Sequence, residues 1–86
     1  MVTGFVLIRT ALGKEHEVYT KLIKVKEIAE LHPLLGEYDF IAKLETKDFN
    51  ALGQVIVKRI RTVKGVTATK TLTWSWAVKW QEWGFL

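Results

Sequence analysis

Cysteine is missing altogether from these 86 residues. That excludes a disulfide framework and a thiolate metal site, and it points to the cytosol as the compartment. Histidine is scarce: His16 and His32 stand far apart, with no second histidine at i+3 or i+4 of either. No metal pair is expected from them. The single serine, Ser75, sits in an aromatic stretch without flanking glycines, which argues against serine–histidine–aspartate catalysis. Long apolar runs are lacking too, and none approaches the roughly 20 residues that cross a bilayer. Residues 1–12 have neither a basic leading segment nor a convincing cleavage site, so they read as a strand rather than a targeting signal.

Acidic residues run out halfway along. Residues 1–48 hold seven Lys/Arg against eight Asp/Glu, whereas residues 49–86 hold six Lys/Arg and only Glu82. The net charge of +4 is therefore carried by the second half. Lys58, Arg59, Arg61 and Lys64 supply most of it, at the end of an expected helix. Cations there complement the helix dipole and face water. Contact with nucleic acid or an acidic partner is the sharper alternative.

What the chain has in quantity is apolar side chains, at 49%. A monomer of this size buries only about 60–65% of its unfolded surface, so this much apolar material suggests further burial against a partner. Residues 2–10 read as a strand with apolar positions on both faces, Val2, Val6 and Ile8 on one and Phe5 and Leu7 on the other. Such a strand is covered on both sides. Gly13 ends it. Val18, Leu22 and Val25 then recur at helical spacing over residues 14–24. Strands are expected over roughly 25–32 and 38–45, with Pro33 and Gly36 between them as hairpin punctuation.

Asp48 suits the N-cap of a second helix, whose buried stripe is Phe49, Leu52, Ile56, Ile60 and Val63. Gly65 stops it, and Val66 to Trp76 form the fourth strand. Its alternate positions separate cleanly into Val66, Ala68, Lys70, Leu72, Trp74 and Trp76 against Thr67, Thr69, Thr71, Thr73 and Ser75. The hydroxyl row either faces water or lines a polar pocket. The halves also echo one another: Val18, Leu22, Val25, Lys26 and Ile28 match Ile56, Ile60, Val63, Lys64 and Val66 at constant offset. The order β-α-β-β-α-β implies a four-stranded antiparallel sheet with both helices on one face. The bare face then needs cover, most simply a second copy by two-fold symmetry.

The hairpin connection Gly36-Glu37-Tyr38-Asp39 is the chemically richest segment. Gly36 allows positive φ and close approach of a ligand, Tyr38 offers an aromatic wall, and Asp39 offers a carboxylate. These residues suit a small ligand carrying an ammonium group, held by a charge-assisted hydrogen bond to Asp39. In the structural reading, Tyr38 is core and Asp39 caps the hairpin by accepting from nearby N–H groups. The C-terminal segment is unusual in a different way. Trp74, Trp76, Trp80, Trp83 and Phe85 fit a strand or one face of a helix, and they are too apolar to leave exposed. Subunit contact is the favoured reading, ahead of core packing and base stacking. The chain divides into a domain over 1–76 and an aromatic tail over 77–86.

Several of these segments together resemble the ligand-sensing half of the Lrp/AsnC transcriptional regulators. The carriers are Phe5-Val6-Leu7-Ile8, Gly36-Glu37-Tyr38-Asp39-Phe40-Ile41-Ala42-Lys43, Asp48-Phe49-Asn50-Ala51-Leu52, and Val63-Lys64-Gly65-Val66 leading into Thr69-Lys70-Thr71. The resemblance covers about residues 2–76. It implies a ferredoxin-like α+β fold, a dimeric α/β barrel, and dimers that assemble into rings. It also implies an amino acid effector beside Gly36, Glu37, Tyr38 and Asp39, with Thr69 and Thr71 nearest that site. The family's helix-turn-helix has no counterpart before the first strand. The expectation is thus a stand-alone sensing and oligomerisation module that does not itself read DNA sequence, with a full-length Lrp/AsnC regulator as a further partner. No cofactor, metal, membrane or catalytic residue is expected. Leu35 stands where many members have a small or hydroxylated residue, so the resemblance does not name the effector.

Two rivals share the element order. An RNA-recognition domain presents a basic residue and aromatics on its third strand, whereas Glu37 and Asp39 here would repel phosphates. A dimeric-barrel monooxygenase or isomerase is the enzymatic alternative, since fold does not dictate function. It needs a His or Asp/Glu pointing into the barrel, and the hydroxyl-rich last strand offers none.

Overall fold

In the computed structural model, residues 1–74 and 80–83 are described, with side chains described over 1–72. The elements are β1 (Val2–Thr10), α1 (Glu15–Leu22), β2 (Ile28–Pro33), β3 (Phe40–Thr46), α2 (Phe49–Val55), β4 (Val66–Trp74) and β5 (Trp80–Trp83). A π-helical turn, Ile56–Ile60, continues α2. The expected β-α-β-β-α-β order and antiparallel four-stranded sheet are present, and β5 adds a short fifth strand beside β4. The spatial order is β2-β3-β1-β4-β5.

The elements form where side-chain periodicity tells them to. Along β1 every second residue from Gly4 to Thr10 is buried, and along β3 so are Phe40, Ala42, Leu44 and Thr46. These positions face the helices. Val18 and Leu22 of α1, Leu52 and Val55 of α2, and Ile56 and Ile60 of the π turn close over them to make the core. Asp48 caps α2 as its residue type suggests, Oδ1 accepting from the Ala51 N–H at 2.7 Å. Phe49, at the first position of α2, departs from the expected stripe and lies exposed.

The sheet's other face carries Phe5, Leu7 and Arg9 of β1, Ile41 and Lys43 of β3, and Ala68, Lys70 and Leu72 of β4, all partly buried in one protomer. Thr71 pairs with Val6 and Thr69 with Ile8. Opposed residues share a face, so Thr69 and Thr71 of β4 point toward the helices. Thr71 is fully buried there and Thr69 is partly buried. A solvated hydroxyl surface is thus the wrong reading for these two positions. Thr67, at the strand's start, is exposed.

Near β2 the helix-free face becomes charged. Lys43 Nζ lies 3.5 Å from Glu30 Oε2 and 3.8 Å from Glu45 Oε2, and His32 Nε2 meets Glu30 Oε1 at 3.0 Å. The hydrogen bond from His32, then the charge of Lys43, hold the Glu30 carboxyl below its usual range.

The aromatic tail is described only by backbone, and only in part. Trp74 pairs with Trp80 and Thr71 with Trp83 across an antiparallel β4–β5 ladder, which makes Trp80–Trp83 a strand rather than a helix. Trp76 and Phe85, together with most of the 77–86 tail, lie outside the described residues.

Candidate ligand loop

The loop between β2 and β3 is closed by backbone bonds before any side chain acts. The Leu34 N–H donates to the Asp39 carbonyl and the Asp39 N–H donates to the Ile8 carbonyl, both at 2.8 Å. Gly36 lies within this closure at φ +135°, a backbone geometry that L side chains rarely adopt. A Cβ built there meets nothing within 4 Å, so the need for glycine is conformational.

Two side-chain anchors then tie the loop to β1. Asp39 Oδ2 accepts from the Thr10 N–H at 2.7 Å and from the Thr10 hydroxyl at 3.1 Å. Among the described residues its other oxygen, Oδ1, makes no hydrogen bond. Arg9 supplies the second anchor. Its Nε donates to the Glu37 carbonyl at 3.0 Å, and its Nη2 reaches Glu37 Oε1 at 2.7 Å. Its guanidinium carbon also sits 5.1 Å from the centroid of the Tyr38 ring, a cation–π arrangement. Thr67 completes the surroundings by donating its hydroxyl to the Arg9 carbonyl at 3.2 Å.

Gly36, Glu37, Tyr38 and Asp39 therefore do form one constellation, as residues of one loop must. Tyr38 is half-buried beneath Arg9 rather than a core residue, and Asp39 bonds to the neighbouring strand rather than capping its own hairpin. Thr69 and Thr71 do not join them within one protomer. They stand on β4 with β1 between them and β3, and Thr71 is closed off under the helices. Strands two apart are separated by about 10 Å. Arg9, Thr10 and Thr67 are the residues that sequence reasoning missed. A basic residue ending an otherwise apolar strand was the available signal for Arg9, since its charge needs a partner at the sheet's end.

Exposed leucines lie at the same end. Leu35 is fully exposed at the loop's tip and Leu12 nearly so after β1. Among the described residues no cluster of three or more His, Cys, Asp or Glu is placed to hold a metal ion. No helix there is long and apolar enough to cross a membrane.

A ferredoxin-like sheet with a tightly anchored β2–β3 loop is a fold shared by regulators and enzymes, and comparison with known proteins specifies the family. The family model described as the Lrp/AsnC ligand binding domain matches residues 3–80. The chain belongs to that family. The HTH-type transcriptional regulator FL11 of Pyrococcus furiosus is 34% identical over 71 residues, which is 83% of this chain and 46% of FL11. The chain thus spans about half the length of the curated relatives it matches. Among solved structures, FFRP-DM1 is 42% identical with a TM-score of 0.81, covering 85% of this chain and 97% of that one. AsnC of E. coli is 25% identical with a TM-score of 0.79, covering 84% of this chain and 49% of AsnC.

Proposed function

We propose that the protein is an amino-acid-sensing and oligomerisation module of the Lrp/AsnC type, regulatory rather than catalytic. The observation that carries the reading is the uncommitted Oδ1 of Asp39. A carboxylate held rigidly through its other oxygen is pre-set to accept from an ammonium group without reorganising. Gly36, in the same loop, has open space where a side chain would stand. For a ligand of about nine heavy atoms the usual ligand-efficiency ceiling permits micromolar affinity without guaranteeing it.

Oligomerisation rests on the helix-free face. Phe5, Leu7, Ile41 and Leu72 there remain partly exposed in one protomer, and a second copy would cover them. We propose a homodimer, rings of dimers, and a full-length regulator of the same family as a further partner. Native mass spectrometry with each of the twenty amino acids tests both parts, since it reports assembly size and bound mass together. A folded monomer that binds no amino acid overturns the reading.

A further inference from the structure

We propose that Arg9 is the carboxylate-binding residue of this site, and that Glu37 occupies it as an internal stand-in until a ligand carboxylate displaces it. The inference rests on the amino-acid-sensing reading and adds the residue and the exchange. Guanidinium carries five N–H donors in a planar fork suited to carboxylates. Here one donor, on Nε, holds the loop backbone at the Glu37 carbonyl, and a second, on Nη2, holds the Glu37 carboxylate. The first contact shapes the loop. The second is dispensable to it, because the backbone closures and the Asp39 anchor remain.

The Glu37 side chain is 74% exposed and that of Arg9 41%. Ion pairs so open to water contribute little, so Glu37 can leave for solvent at small cost. Arg9 has two further contacts: Tyr38 lies beneath the guanidinium, and the Glu37 carbonyl accepts from Nε. A carboxylate held by one contact, facing a guanidinium held by two others, is an arrangement for partner exchange. Exchange is favoured over simple addition, because two carboxylates on one guanidinium sit a few ångströms apart and repel. An α-amino acid then meets Arg9 with its carboxylate and Asp39 with its ammonium group. Amines lacking the carboxylate forgo the first contact.

Calorimetry on the full chain, using whichever of the twenty amino acids binds most tightly, tests this with three variants. Glu37→Gln removes the competitor and is expected to bind about two- to five-fold more tightly. Arg9→Met is expected to bind at least about ten-fold more weakly, the loss of a charged hydrogen bond, with Arg9→Lys between it and the parent. The sign of the Glu37→Gln effect separates the two roles and holds even if Arg9→Met fails to fold. Were Glu37 merely a loop brace, its neutralisation would weaken binding, and that result overturns the proposal. Unchanged affinity in a folded Arg9→Met also overturns it. If the parent chain binds no amino acid, the sensing reading fails first and takes this inference with it.

Discussion

At the scale of single residues, Asp39 has two tasks that substitution can separate. Asp39→Asn keeps an oxygen for the Thr10 N–H and removes the charge, whereas Asp39→Ala removes both. Thermal unfolding should therefore fall more for Ala than for Asn. Amino acid affinity should fall in both, by about 1.5–3 kcal/mol if a charged hydrogen bond to an ammonium group is lost. Equal affinity in all three proteins removes Asp39 from the site. Glycine positions give a second comparison. Gly36→Ala carries only the backbone penalty of its positive φ, about 1 kcal/mol or somewhat more. Gly65→Ala adds a clash, its Cβ falling 2.9 Å from Val18 Cγ2 at φ +104°. Urea unfolding should rank Gly65→Ala as the more damaging.

At the scale of elements, α2 depends on its cap and on the residues it buries. Asp48→Ala should cost about 1 kcal/mol through the lost Ala51 N–H bond, and Leu52→Ala about 2–5 kcal/mol through a core cavity. Denaturant midpoints with unchanged slopes would show both. The charged group on β2 and β3 responds to acid. Because Glu30 is held below its usual range by His32 and Lys43, its contribution is present above the unfolded carboxyl pKa and is lost as pH falls through the folded value. Glu30→Gln should lower thermal stability slightly at neutral pH and leave it unchanged in acid, where the contribution is already lost, so that the profile flattens between the two. β5 gives the tail a described role, pairing with β4. Deleting residues 78–86 removes that pairing. It should lower the assembly state in sedimentation while far-ultraviolet circular dichroism stays close to the parent, if tryptophans there anchor subunits. Unfolding of the truncated chain would place them in the protomer core instead.

For the whole molecule, one sheet face is closed by helices and the other is left with partly exposed Phe5, Leu7, Ile41 and Leu72. An 86-residue protomer has little stability to spare for such exposure. Light scattering at micromolar concentration should accordingly give a dimer or a multiple of one. Leu7→Lys should shift it toward monomer, because a second copy would bury an unpaired charge.

Much of this was legible in the chain alone, because periodicity is a local property. Alternation in β1 and β4 and the stripe Leu52, Ile56, Ile60 marked strands and helix, and Asp48 marked the helix start. Gly36 to Asp39 stood out because a glycine, an aromatic and an acid between two strands is a local pattern too. Orientation was a different matter. Whether Thr69 and Thr71 of β4 met water or helices depended on the strand's register with β1, where Val6 opposite Thr71 and Ile8 opposite Thr69 turned them inward. Boundaries also moved: β2 begins at Ile28 because Val25 is still bonded to Leu22 in a turn and packs in the core. The partners of the β2–β3 loop's anchors lay beyond sequence, since Arg9 and Thr10 are far from Glu37 and Asp39 along the chain. Only the pairing of β1 with β3 brings a strand-end guanidinium and a backbone N–H to the loop, and contact across strands is set by the packed sheet rather than by neighbouring residues.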